Sequence, residues 1–348
     1  MIILILGGSL SLWAFQSAPR FGILDTSMYS GHEEITRQAI NAVLRELPRE
    51  VSHPLFQMPE IRTDLEASPK GIYGGLTRNL IIHGNFAMDF PKHTNVLNLT
   101  QFWKVADFSD VDHAHNQVFH FLRNHLASNT LDSARSTCLK ARENIKYATQ
   151  EAIQSWSKGD RARALFLIGA ATHTIQDSFS RAHAIRGSQA DGYAIQDICF
   201  FGSVMAQKID TYKNAAQPVC FHSDLDSQDV IWNLDMSQQE LAKSEWPREE
   251  SVTCDRTAEG YPSTEESKQA CLNHEARLAR LATEKYLFLV LSQLSSPKPQ
   301  ATSLFVRSLD GRLFEGPVGQ PLLDEKMERG IMRCDGLSDR EIRGLTPN

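Results

Sequence analysis

The stretch RARALFLIGAATHTIQDSFSRAH, residues 161–183, decides how this chain is read. It follows SKGD (157–160), where Gly159 stops one helical pattern and Asp160 stands as the N-cap of the next. From Arg161 to Ser178 the residues read as a helix, with one stripe running from Phe166 through Gly169 and Ala170 to His173 and Asp177. Residues four apart share a helix face, so His173 and Asp177 project side by side. An imidazole and a carboxylate converging from one face can hold a divalent ion. The small residues beside them would let a second helix approach closely. His183 lies ten residues after His173 and about 80° round from it on a continuous helix. The spacing therefore predicts a bend near Arg181 that brings His183 to an adjacent ion.

Working outward, GHEEITRQAINAVLREL (31–47) carries Ile35, Ala39, Ile40, Val43, Leu44 and Leu47 at helical period, so a helix starts beside His32. Residues 49–75 read as loop with short helical pieces. Helices are predicted over 112–125, 131–158 and 264–294. Gly84-Asn85 marks a tight backbone. Beyond SSPKPQ, the stretch SLFVRSLDGRLFEG (303–316) reads as strand, Asp-Gly turn and strand. The expected fold class is all-α, with a short C-terminal tail containing a hairpin. The expected division is a signal-like segment over 1–18, a catalytic domain over 26–296 and a tail over 297–348.

The chain has 348 residues, with 36 Lys and Arg against 42 Asp and Glu, a formal charge of -6. No basic run with interleaved aromatics appears, so nucleic acid is not the expected partner. The apolar start MIILILGGSLSLWAF is too short to span a bilayer and reads as the apolar part of a secretory signal. A secreted or periplasmic protein is expected. Six cysteines, at 138, 199, 220, 254, 271 and 334, form no CxxC pair, which suits disulfides in an exported chain better than a cysteine zinc site.

The twelve histidines are placed unevenly and several stand close to an acid. FSDVDHAHNQVFHFLRNH (108–125) holds His113, His115, His120 and His125, preceded by Asp107 and with Asp110 and Asp112 among them; IIHGNFAMDFPKH (81–93) holds His83, Asp89 and His93. CFHSDLD (220–226) repeats the four-residue spacing with His222 and Asp226. An N/O donor set without paired cysteines points to zinc or a similar ion in a catalytic rather than a structural site.

In combination, GHEEITRQAI (31–40), GNFAMDF (84–90) and ATHTIQDSFSRAH (171–183) resemble the superfamily of zinc-dependent phospholipases C and single-strand nucleases, in particular its bacterial phospholipase C branch. The resemblance runs through short motifs from about residue 30 to 230. It implies a multi-helix, phospholipase C and P1 nuclease-like fold that holds three zinc ions in a cleft. It places His173, Asp177 and His120 at one ion with an upstream aspartate, for which Asp89 is favoured and Asp107 and Asp110 are rivals. It places His183, His222 and Asp226 at a second ion, and His32 with a bridging Asp177 at the third. Asp89 or Asp110 is the expected base.

Such a set suits phosphodiester hydrolysis. The expected substrate is a phospholipid of the phosphatidylcholine type at a membrane surface, cleaved to diacylglycerol and a phosphorylated headgroup. A single-strand nuclease and a non-catalytic, metal-stabilised binding protein are the alternatives.

Overall fold

In the computed structural model of the chain, the described residues are 31–61, 79–89, 117–123, 131–180, 183–187, 193–200, 274–315, 331–334 and 337. The signal-like segment over 1–18 lies outside them. Helix takes 73% of this part, so the protein is mainly helical with one small sheet.

The order is α1 (Gly31–Glu46), α2 (Arg49–Phe56), α3 (Leu80–Asp89), a 3₁₀ turn (Gln117–His120), α4 (Leu131–Ser157) and α5 (Arg161–Asp177). Then come β1 (Ala184–Arg186), β2 (Ile195–Ile198), α6 (His274–Ser295), α7 (Thr302–Leu309) and a π turn (Asp310–Phe314). β1 and β2 pair antiparallel, Ala184 opposite Ile198, with an irregularity at Arg186.

α5 is the central element. Asp160 caps it, its side chain accepting from the Arg163 backbone N–H at 3.1 Å. Every residue from Ala164 to Asp177 is buried, because α3, α4 and α6 pack around it. The apolar members contribute about 1.5–3 kcal/mol each for a large side chain removed from water. α3 comes nearest. A Cβ built on Gly169 would land on the Ile81 carbonyl oxygen, 2.9 Å from the Gly84 Cα. A Cβ on Gly84 would land on the Phe166 carbonyl oxygen. The two glycines thus face each other across a crossing that admits no side chain.

The tight backbone expected at Gly84-Asn85 lies inside α3, where the crossing and not the φ of Gly84 requires glycine. Two expectations need correction. The helix expected over 112–125 is, where described, a single 3₁₀ turn: Phe121 takes φ 51 and ends it, and Arg123 leaves in a parallel bridge to Phe200. The C-terminal hairpin is α7 followed by a π turn. Phe305, Val306, Leu309 and Leu313 are buried while Leu304 is 48% exposed, a helical pattern that strand alternation would invert. Gly311 keeps negative-φ backbone, so Asp310-Gly311 makes no hairpin turn, and Asp310 instead pairs with Lys146 of α4 at 2.7 Å.

The described part of the tail belongs to the same core as the helices, with Phe305, Leu309, Phe314 and Met332 buried in it. A disulfide joins Cys138 of α4 to Cys334, 196 residues on, which is compatible with an extracellular location. Cys199 is disulfide-bonded as well. Among the described residues no helix is long and apolar enough to cross a membrane.

Candidate metal centre

Asp177 is the last residue of α5 and is fully buried. A carboxylate at a helix C-terminus meets the negative end of the helix dipole, so it needs compensation from elsewhere. Four imidazoles supply it. His173, one turn back on α5, brings Nε2 to 3.0 Å from Asp177 Oδ2. His32, at the start of α1, brings Nε2 to 3.2 Å from Oδ1. His120 of the 3₁₀ turn and His183, just ahead of β1, bring their Nδ1 atoms to 3.6 and 3.7 Å from Oδ2. None of the four histidines is more than 5% exposed as a residue.

The local structure explains how these side chains meet. α5 stops at Asp177, and a turn in which the His183 N–H donates to the Ser180 carbonyl at 3.0 Å folds His183 back. The His183 Nδ1–H donates to the backbone carbonyl of His120, joining the His183 ring to the 3₁₀ turn. β2 ties the same region together: the Cys199 N–H donates to the His183 carbonyl and the Arg123 N–H to the Cys199 carbonyl, both at 2.8 Å. Arg123 is buried, pairs with Asp197 at 3.1 Å and stacks on Phe200 at 4.0 Å. Arg186 anchors the hairpin to the end of α5, donating to the Ser178 carbonyl at 2.7 Å and the Tyr193 carbonyl at 2.9 Å.

Burial opposes the charge on Asp177, but His173 and His183, with hydrogen bonding from His120 and His173, outweigh it and hold the carboxyl well below the usual range. Burial pushes His183 down to about 4, against the pull of Asp177, so its ring is neutral at neutral pH. An ionised carboxylate surrounded by imidazole nitrogens is the kind of N/O donor set that a divalent metal takes.

Distances give an independent test of fit. Two ligands on a tetrahedral zinc with bonds of about 2.0–2.1 Å stand roughly 3.3 Å apart. His173 Nε2 lies 3.1 Å from His120 Nδ1, and with Asp177 Oδ2 these atoms make a triangle with edges of 3.0, 3.1 and 3.6 Å. His32, His173 and Asp177 also offer donor atoms that all lie within 4.8 Å of one another. The cluster could hold a metal ion.

No family model matches the chain. No curated protein and no solved structure matches it either.

Of the residues nominated from sequence, the structure brings together His32, His120, His173, Asp177 and His183. Asp89 ends α3, with its side chain outside the described part, and Asp107, Asp110, His222 and Asp226 lie outside the described residues. The polar ring around His32 was not legible in the sequence. Gln176 Oε1 accepts from His32 Nδ1 at 2.8 Å and from Asn85 Nδ2 at 3.2 Å, while its Nε2 donates to Thr36 at 2.8 Å and Thr283 at 3.2 Å. One signal was available: four polar residues, Thr172, His173, Thr174 and Gln176, precede Asp177 in a helix otherwise apolar from Ala164.

Proposed function

We propose that this chain is a zinc-dependent phosphodiester hydrolase with a phospholipase C-like fold, acting outside the cell on phosphatidylcholine-type lipid. The observation that carries this reading is the convergence of four histidines from four separate segments on the single carboxylate of Asp177. It is the combination of residues that the motif resemblance assigns to a zinc cleft.

Zinc at such a centre supplies a water acidified toward neutral pKa and a positive charge for the phosphoryl oxygens. The residues have distinct tasks around it. His120, His173 and Asp177 Oδ2 would hold one ion, and His32 with Asp177 Oδ1 would hold another. The carboxylate is thereby shared, and its ionised state is needed at both. His183, through the nitrogen left with a lone pair, would hold a third ion with His222 and Asp226. Asp89 or Asp110 would accept a proton from the attacking water.

Protein supplied with zinc is expected to bind about three ions per chain and to release phosphocholine from phosphatidylcholine vesicles. His173→Ala is expected to lose metal and to lower turnover by more than about a hundredfold, beyond the loss that follows removal of an outer partner, with helix content by circular dichroism unchanged. Full zinc retention by that variant refutes the ligand assignment. Cleavage of single-stranded DNA or RNA in place of lipid selects the nuclease alternative. The near-complete burial of all five side chains favours one further reading, a structural metal centre. Bound zinc with turnover of neither substrate selects it.

A further inference from the structure

Gln176 touches the cluster at His32 and is fully buried. Which end of its amide faces His32 follows from protons already engaged elsewhere. Thr283 Oγ1 donates to the Ala279 carbonyl at 2.8 Å, so toward Gln176 it accepts, and the amide atom 3.2 Å away is Nε2. A second hydroxyl gives the same answer from the opposite side. Thr172 Oγ1 donates to the Gly169 carbonyl at 2.7 Å and therefore accepts from Asn85 Nδ2 at 3.0 Å. That Nδ2 lies 3.2 Å from Gln176, where it requires an acceptor, Oε1.

Oε1 has no proton to give. The 2.8 Å contact with His32 is therefore a hydrogen bond donated by Nδ1–H. In a neutral imidazole the lone pair is then on Nε2, the atom 3.2 Å from Asp177 Oδ1. Two lone-pair atoms face each other there, an arrangement that a cation between them makes favourable.

We infer that Gln176 is a positioning residue that fixes His32 in the Nδ1–H tautomer and so makes Nε2 a metal-ligating atom, with Asn85, Thr172 and Thr283 holding the amide in register. This rests on the metal centre proposed above. An amide suits the position better than the carboxylate commonly found behind a ligating histidine. It accepts the same proton without placing a second negative charge beside Asp177 in a buried site.

Two measurements test it. In the metal-free, full-length protein, ring-nitrogen chemical shifts of isotope-labelled histidine report the tautomer directly, with the His32 signals assigned by their loss in His32→Gln. Nδ1–H at His32 is expected, and Nε2–H in the wild-type protein overturns the inference without any change at residue 176. Zinc titration against a competing chelator then compares Gln176→Met, which removes the acceptor at similar volume, with Gln176→Glu, which keeps it. The Met variant is expected to bind zinc about tenfold to a hundredfold more weakly and to lose the Nδ1–H signature, while the Glu variant keeps the Nδ1–H signature and loses less affinity than the Met variant. Unchanged zinc affinity in the Met variant, or an equal loss in both variants, overturns the tautomer role. If the wild-type protein binds no zinc, the metal-centre reading fails, while the ring-nitrogen spectrum still decides what Gln176 does to His32.

Discussion

His83 shows how burial alone sets a protonation state near the cluster. The ring is 6% exposed on α3, its centroid 6.2 Å from that of Phe166, and burial pushes its pKa down to about 4. In the unfolded chain the same ring titrates near its ordinary value of about 6.5. Between these values the unfolded state binds more protons than the folded one, so the contribution of His83 is fully present above about 6.5 and declines as pH falls toward 4. Linkage puts the loss between pH 7.5 and pH 5 at about 2 kcal/mol. Urea unfolding of wild type and His83→Leu at both pH values checks it: the wild type is expected to lose about 2 kcal/mol more than the variant on acidification. Equal losses would show that the ring is solvated. Comparing the two proteins cancels the histidines of the cluster, which His183, also pushed down to about 4, would otherwise add to the acid limb.

The crossing of α3 and α5 carries the next expectation. Gly84 and Gly169 bring the two backbones into contact, and that closeness lets Asn85 of α3 reach Thr172 and Gln176 of α5 at 3.0 and 3.2 Å. Gly169→Ala gains about 1 kcal/mol of helix propensity but drives a methyl into the Ile81 carbonyl, so the helices must separate. A net loss of about 1–3 kcal/mol is expected, together with weaker zinc binding as Asn85 withdraws from Gln176. Gly311→Ala, where nothing lies within 4 Å of the added carbon, is the control and is expected to stay within about 0.5 kcal/mol of wild type. Thermal melts and zinc titration of the two variants decide the matter. The same elements show what was readable from residue order. The α5 stripe, its Asp160 cap and its stop before His183 are local features, and local rules reach them. The partners of Gln176 are His32, Thr36, Asn85 and Thr283, separated from it by up to 144 residues, and a threonine on an apolar helix has no sequence signature for the hydrogen bond it will make. The hairpin expected at 303–316 failed for a related reason. Its apolar residues satisfy both periods over so short a span, and the choice was made by α4, against which Phe305, Leu309 and Lys146–Asp310 close.

The described C-terminal segments are fastened to the same α4 by several interactions. Arg142 donates to the Met332 carbonyl at 2.9 Å and to Glu315 at 3.0 Å, and its guanidinium lies 5.3 Å from the Phe314 ring centroid. Glu315 is largely exposed, so that ion pair adds little. The buried apolar side chains and the Cys138–Cys334 bond carry most of the attachment. That bond closes a loop spanning 196 residues of separation, which encloses α5, both strands, α6 and α7. Chain-entropy arguments put the effect of so long a loop near 5 kcal/mol, and measured losses on removing a native disulfide run at about 2–5 kcal/mol. Cys138→Ser combined with Cys334→Ser is therefore expected to lower the denaturant midpoint by an amount equivalent to about 2–5 kcal/mol while leaving Asp177 and its histidines in place. Zinc stoichiometry separates the two consequences. If the double variant unfolds earlier yet binds as much zinc as wild type under native conditions, the bond acts on the unfolded chain. Loss of zinc at full folding would instead mean that the attachment of the C-terminal segments to α4 holds the metal centre in shape, through Arg186, whose guanidinium donates to Ile331 at 2.9 Å and to Ser178 beside Asp177.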